Sequence, residues 1–326
     1  MSNPASVPHP SVDEALLAKS GPFGRAILEI GERRPDVVTL SADVAGVTGL
    51  APFAQRFPER FVNVGMAEEN LISVAVGLEK AGFVPVATTF AVFATRRALD
   101  MIAIQCALNR ANVKIVAALP GIYSTFGPTH QGIDDLAHMR ALPNMVVLDP
   151  CDNQEMQEAA AAAVEYEGPV YLRELLGRET EDVDRGAFRF SIGPAQLLRE
   201  GADLGIVTSG IMVRRSIEAA EELSDRGIEA SVLKVSTLKP FDDAAVVSLA
   251  RETGVLVTAE NHSVIGGLFS ATAEALARAG AQVPIRAVGV QDEFCSFGSN
   301  PYVARVHGLT ADAVVAAAGD VLAERR

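Results

Sequence analysis

The sequence predicts an α/β protein of two consecutive domains, each a mostly parallel sheet with helices on both faces, over residues 15–185 and 194–326. Three observations carry this. Short apolar runs alternate with amphipathic stretches along the whole chain, the pattern of β-α-β units. A polar, irregular stretch at 177–193 (GRETEDVDRGAFRFSIG) interrupts that alternation and reads as a domain boundary. The length, 326 residues at 49% hydrophobic content, suffices for two ordinary cores. A net charge of −13 argues against nucleic acid or an anionic membrane surface as partner. Cys106, Cys151 and Cys295 lie far apart without metal-ligand spacing, as expected for reduced thiols in a cytoplasmic protein. The N-terminus is polar and Pro-bearing with no apolar signal core, and no apolar run approaches a membrane span.

In order, Pro22 to Arg33 reads as a helix, and Val37 to Leu40 as a buried strand running into Ser41-Ala42-Asp43. Phe61 to Val64 is a short strand that breaks at Gly65. Leu71, Val74, Ala75 and Leu78 then recur at helical spacing. Glu68 and Glu69 sit in the first turn of that helix, where acids complement the dipole. Glu68 also follows a strand end, where parallel α/β folds place their chemistry. After the strand Val84–Thr89, Phe90 and Phe93 fall three apart at the start of a helix expected over Ala91–Asn109. Phe at that spacing is commonly core. Val113–Leu119 is another apolar run, followed by the loop Gly127-Pro128-Thr129-His130-Gln131-Gly132, whose Pro and Gly keep it out of regular structure. His138, one helix on, reads as structural. Met145–Leu148 and Val170–Leu172 read as strands flanking an Ala-rich helix at Asn153–Glu165. Beyond the boundary, strands (Leu204–Thr208, Ala230–Val235, Val255–Ala259) alternate with helices (Ile211–Arg226, Asp242–Thr253, Gly266–Ala279). His262, between Asn261 and Ser263, reads as structural.

The order of these motifs resembles one family across essentially the whole chain. VGMAEEN followed by AGFVPVATTFAVFATRRALD, then GPTHQ, is similar to the pyrimidine-binding domain of transketolase and of deoxyxylulose-phosphate synthase. STLKPFD, ENHSVIGGLFSA and DEFCSFGSNPYVARVHGLTADAVV resemble the C-terminal domain of the same enzymes. The resemblance implies thiamine diphosphate as cofactor. It implies that Glu68 touches the aminopyrimidine ring, sharing a proton that favours the imino form, which needs a partly desolvated carboxyl. Phe90 and Phe93 would pack on that ring, with Asp43 and Arg96 as further cofactor contacts. His130 would face the reacting carbonyl oxygen, with Phe126 and Arg173 (or Arg178) lining the substrate side. Ketol transfer is the implied reaction.

In this family the diphosphate is held through Mg2+ by another domain, marked by Gly-Asp-Gly and a later Asn. No Gly-Asp-Gly occurs here. The expectation is therefore a split enzyme: a separate N-terminal-half subunit supplies the metal and diphosphate site, this chain supplies no metal ligands, and an α2β2 assembly forms. Three departures bear on substrate. Phe126 stands where the family has an acid, its Arg near the domain start falls at Ser20 with Arg25 close, and an upstream His is replaced within Ala117-Ala118-Leu119. An apolar ring there leaves sugar hydroxyls unpaired, at about 1–3 kcal/mol per buried group. A modified, branched or less hydroxylated ketose or aldehyde fits better than ordinary pentose phosphates. Two other readings remain: the beta subunit of a 2-oxo-acid dehydrogenase, whose matching loop has His-Ser-Gln, and a non-catalytic relative that binds a partner protein.

Overall fold

The computed structural model describes residues 12, 14–174 and 182–324. In the first half, α1 (Glu14–Lys19) and α2 (Gly21–Arg33) lead into β1 (Val37–Ser41), α3 (Ala51–Arg56) and β2 (Phe61–Asn63). Next come α4 (Glu68–Lys80), β3 (Val84–Phe90), α5 (Ala91–Arg96), α6 (Leu99–Met101) and β4 (Lys114–Ala118). This half closes with α7 (Asp135–Ala141), β5 (Val146–Leu148), α8 (Asn153–Glu165) and β6 (Val170–Glu174). The second half runs β7 (Gln196–Arg199), β8 (Leu204–Thr208), α9 (Met212–Asp225), β9 (Ala230–Lys234) and β10 (Thr237–Lys239). It ends with α10 (Asp243–Thr253), β11 (Leu256–Ser263), α11 (Leu268–Arg278), β12 (Ile285–Val290), α12 (Asn300–Val306) and α13 (Ala311–Glu324).

Two sheets result, with strand orders β10-β5-β6-β4-β3-β1-β2 and β12-β11-β8-β9-β7. All pairings are parallel except two: β7 on β9, and β10, which leaves the second half to pair antiparallel with β5 of the first sheet. The halves thus share a sheet edge. Because both faces of the first sheet are covered, its inner strands β1, β3 and β4 are buried end to end rather than alternating. Phe23, Ile27, Met156 and Ala160 from α2 and α8 cover one face. Leu71, Leu136 and Met139 cover the other, in a cluster that continues into Val246, Leu256 and Leu268 of the second half.

The helix expected over Ala91–Asn109 is instead broken: α5 stops at Arg96, α6 is a single turn, and Ile102–Ala107 is π-helical. The stretch Asn300–Glu324 is long and apolar enough by composition to cross a membrane, contrary to the reading of the sequence. It is two helices, however, and Val303, Val314, Ala318 and Val321 pack in the second core. The three cysteines are free and buried.

Arg173 is the main correction to the sequence reading. It is 1% exposed and enclosed by acids: its Nε donates to Asp135 Oδ2 at 2.8 Å, it pairs with Asp135 Oδ1 and Asp149, and Nη1 donates to the Asn261 carbonyl. A guanidinium without solvent is stable only when so compensated, so it is a strut between the halves, with its Nε and both Nη1 protons held by protein acceptors rather than by substrate. Burial, the largest single influence, would raise the Asp135 carboxyl, but the charge and hydrogen bonds of Arg173, with His262 and the Tyr171 hydroxyl, together hold Asp135 below the usual carboxylate range. Arg178 lies outside the described residues.

Asn261 also clamps the loop after β4. Its Oδ1 accepts from Ile122 N–H at 3.0 Å and its Nδ2 donates to the Pro120 carbonyl at 3.1 Å. Gly121 between them has φ +64°, and a Cβ there would lie 2.2 Å from Asn261 Oδ1. Gly121→Ala is therefore expected to destabilise the protein by about 2–4 kcal/mol, through backbone strain and the displaced amide. Urea unfolding measures this; a loss under roughly 0.5 kcal/mol, the range of a neutral surface change, would mean the clamp yields freely.

His262 takes the structural place expected. Burial lowers its imidazole to about 4 against the raising pull of Asp135, and its Nδ1 bonds the Ser263 carbonyl at 2.6 Å. Glu260, beside it, is pushed up to about 7 by burial, although Leu268 and Phe269 N–H donate to it. The two oppose each other. As pH falls from 6.5 toward 4 the unfolded chain takes up a proton at His262 that the folded chain refuses, so that stability is lost on acidification. Glu260 holds its proton in the folded chain from 4.5 to about 7, so its contribution is lost as pH rises. His262→Asn is expected to leave the Glu260 slope alone, with Tm falling as pH rises from 4.5 to 7; a profile like that of the unsubstituted protein would place the titration elsewhere.

Candidate active site

The site lies at the C-terminal edge of the first sheet. There β3 ends at Phe90, and α5, starting one residue later, carries Phe93 back toward it, with ring centroids 5.9 Å apart. Gly127, at φ +81°, reverses the chain, and the single turn Pro128–His130 brings His130 onto these rings. Its imidazole lies 5.1 Å from Phe93, 5.2 Å from Phe126 and 6.0 Å from Phe90, centroid to centroid. Phe126 is 56% exposed and stacks toward Phe90. The second half contributes too: a Cβ on Gly127 would meet Phe297 at 2.6 Å, so only glycine lets the loop lie under that ring. His130 Nδ1 is bonded to Thr129 Oγ1 at 2.8 Å.

Glu68 opens α4 after Gly65, whose φ of +75° supplies the sharp exit from β2. The two acids of the first turn separate by burial: Glu68 is 5% exposed and Glu69 faces solvent. Dipole complementarity accounts for Glu69 but gives no reason to bury Glu68. Its Oε1 accepts a 2.9 Å bond from Arg97 Nη1, and the same guanidinium lies 3.7 Å above the centroid of Phe93. Glu68, Phe93 and His130 are thus gathered in one place.

Other expected residues lie nearby with different partners. Asp43, at φ +61°, gives and takes bonds with Asn63, which also accepts from Gly65 N–H, so it ties the ends of β1 and β2 together. Arg96 turns away from Glu68: its Nε donates to Asp134 at 2.9 Å and its guanidinium rests near Phe294. Arg97, not singled out in the sequence, takes the contact with Glu68. The available signal was its spacing, four residues after Phe93 on a helix.

A doubly covered parallel sheet thus carries a buried acid, an aromatic wall and a histidine at its carboxyl edge. Residues 18–175 match the model of the transketolase pyrimidine binding domain, and residues 193–314 that of the transketolase C-terminal domain. The chain belongs to the transketolase family. It is 42% identical to a transketolase family protein of Sinorhizobium fredii over 300 residues, covering 91% of this chain and 87% of that one. It is 43% identical over 296 residues to the 6-deoxy-6-sulfo-D-fructose transketolase subunit SqwH of Clostridium sp., covering 90% and 91%. Among solved structures, one described as a split gene transketolase, inactive beta4 tetramer, superposes with a TM-score of 0.84 at 43% identity, covering 94% of this chain and 98% of that one.

Proposed function

We propose that this chain is the beta-type subunit of a split, thiamine diphosphate-dependent transketolase of the cytoplasm, moving a two-carbon ketol unit from a ketose-like donor to an aldehyde. One observation supports it most: two residues distant in sequence converge on Phe93, His130 through its own ring and Glu68 through Arg97, whose guanidinium bonds Glu68 and lies over Phe93. The residues fit the cofactor's aminopyrimidine, because a flat group bearing N–H donors, the Arg97 guanidinium, already rests on Phe93 and bonds Glu68. When bound, thiamine diphosphate supplies the nucleophilic carbon and electron sink that side chains lack. Glu68 holds or shares a proton at the ring nitrogen, and its burial keeps water from competing for that proton. Phe90, Phe93 and Phe126 exclude water from the ring face. His130, oriented through Nδ1 by Thr129, presents Nε2 to the oxygen of the reacting carbonyl as charge gathers there.

Among the described residues no group of three His, Cys, Asp or Glu side chains could hold a metal ion. We assign Mg2+ and the diphosphate to a partner subunit carrying Gly-Asp-Gly, in an α2β2 assembly. Support comes from coverage: the chain spans 98% of a split-gene chain that is described alone as an inactive tetramer, and 91% of a chain named a subunit. Phe126 beside His130 favours a modified, branched or less hydroxylated substrate, and the relative named for a sulfo-sugar indicates that such ketoses lie within the family's range. The test is gentle recovery of the tagged chain from its host, with an assay for thiamine diphosphate and for ketol transfer from hydroxypyruvate to glycolaldehyde. A co-purifying Gly-Asp-Gly chain with cofactor and turnover is expected. A chain that comes down alone under every mild condition, and stays inactive with added cofactor and Mg2+, overturns the proposal.

A further inference from the structure

Arg97 makes two contacts at once, and both are contacts that a planar nitrogen heterocycle would make at this site. Its guanidinium carbon lies 3.7 Å over the centroid of Phe93, and its Nη1 donates 2.9 Å to Glu68 Oε1. A guanidinium is flat, delocalised and edged with N–H donors, which lets it stack on an aromatic face and bond a carboxylate in its own plane. An aminopyrimidine offers the same shape, with an amino N–H and ring nitrogens along one edge. The asymmetry of burial fits a movable member. The Glu68 side chain is 6% exposed, while that of Arg97, the residue just past the end of α5, is 51% exposed. Glu68 is thus the fixed element and Arg97 the one that can leave.

We infer that Arg97 is a placeholder for the cofactor's aminopyrimidine: it covers Phe93 and pairs the buried Glu68 carboxyl in the unloaded chain, and it must swing away for the ring to bind. The inference rests on the proposed thiamine diphosphate site. Two physical consequences follow. Without Arg97, Glu68 would be a buried carboxylate lacking its charged partner, which is unfavourable in the unloaded chain. With Arg97 in place, its guanidinium covers the Phe93 face and takes the Glu68 oxygen that the ring would use. The loaded site therefore works better with Arg97 withdrawn, and the cofactor's apparent affinity is reduced by the fraction of molecules in which Arg97 occupies the site.

The experiment compares the assembled complex, stripped of cofactor, with complexes carrying Arg97→Ala and Arg97→Lys, by calorimetric titration with thiamine diphosphate and Mg2+. Thermal unfolding is followed without and with cofactor. Arg97→Ala is expected to bind cofactor about tenfold more tightly, because its competitor is gone. Its unloaded Tm should fall, and its gain in Tm on loading should exceed that of the unsubstituted complex. Arg97→Lys, which keeps the charge but not the flat fork, should bind with intermediate affinity. Unchanged or weaker binding by Arg97→Ala overturns the inference, since Arg97 would then be a bystander or a direct contact of the cofactor. A complex that binds no thiamine diphosphate even without substitution overturns the proposed site itself, and the inference with it.

Discussion

Glu68→Gln is expected to lower ketol transfer by about 10²- to 10⁴-fold, the range for removing a positioned proton donor or acceptor, while the protein remains folded and assembled. Glutamine has nearly the shape of glutamate and keeps an oxygen to accept from Arg97 Nη1, so the 2.9 Å contact survives in weaker form. It cannot hold or share a proton at the pyrimidine nitrogen. On the proposed role, in which Glu68 contacts the cofactor and not the substrate, the loss should fall on kcat rather than on substrate KM. Glu68 opens α4, and Leu71, Ile72 and Ala75, which anchor that helix in the core, are untouched. Two measurements separate the outcomes. Steady-state turnover at saturating cofactor gives the loss, and NMR exchange of the cofactor's reactive carbon-bound proton should slow by a similar factor. A variant that turns over at the unsubstituted rate would remove Glu68 from the chemistry. A protein whose activity is absent before substitution, yet whose variant still binds the partner subunit, would be a binding module.

The fold was legible from residues, and so were the positions at which the chain must turn toward the candidate site, for identifiable reasons. Gly65 and Gly127 sit where the chain takes positive φ, and glycine there is a backbone requirement that can be read directly. The apolar strands needed no alternation because both faces are covered. What the sequence hid was pairing at a distance. Arg173 reads as an available cation at a strand end, but its partners Asp135, Asp149 and the Asn261 carbonyl come from separate segments, one of them in the other half of the chain. Of the two adjacent arginines, Arg96 and Arg97, nothing local decides which turns to Glu68. The break after Arg96 rotates them differently, sending Arg96 to Asp134 and Arg97 over Phe93. The edge strand β10 was similarly invisible, because Thr237–Lys239 is too short to read as a strand and its partner β5 belongs to the first half.

His130→Ala is expected to reduce kcat by about 10²- to 10³-fold, as when an oxyanion donor is removed, with a smaller change in KM. The geometry makes the ring expendable to the fold. It is half-buried on the turn Pro128–His130, and its neighbours Phe93 and Phe126 have other contacts with Phe90. Its chemistry depends on one adaptable neighbour. Thr129 Oγ1, 2.8 Å from Nδ1, can donate or accept, because a hydroxyl has both a proton and lone pairs. When it accepts from Nδ1–H, Nε2 carries a lone pair and can take a proton. When it donates to Nδ1, Nε2 carries the proton and can give it to a developing alkoxide. A histidine that must do both in one turnover needs a partner of that kind. Thr129→Val removes the adaptability but keeps the ring, so its loss should be smaller than that of His130→Ala and confined to kcat. Equal KM and kcat effects in both variants would instead mean that this turn only shapes the pocket. Full activity in His130→Ala would move the proton donor to another group on the wall, and Glu68 would then be the sole catalytic side chain this chain contributes.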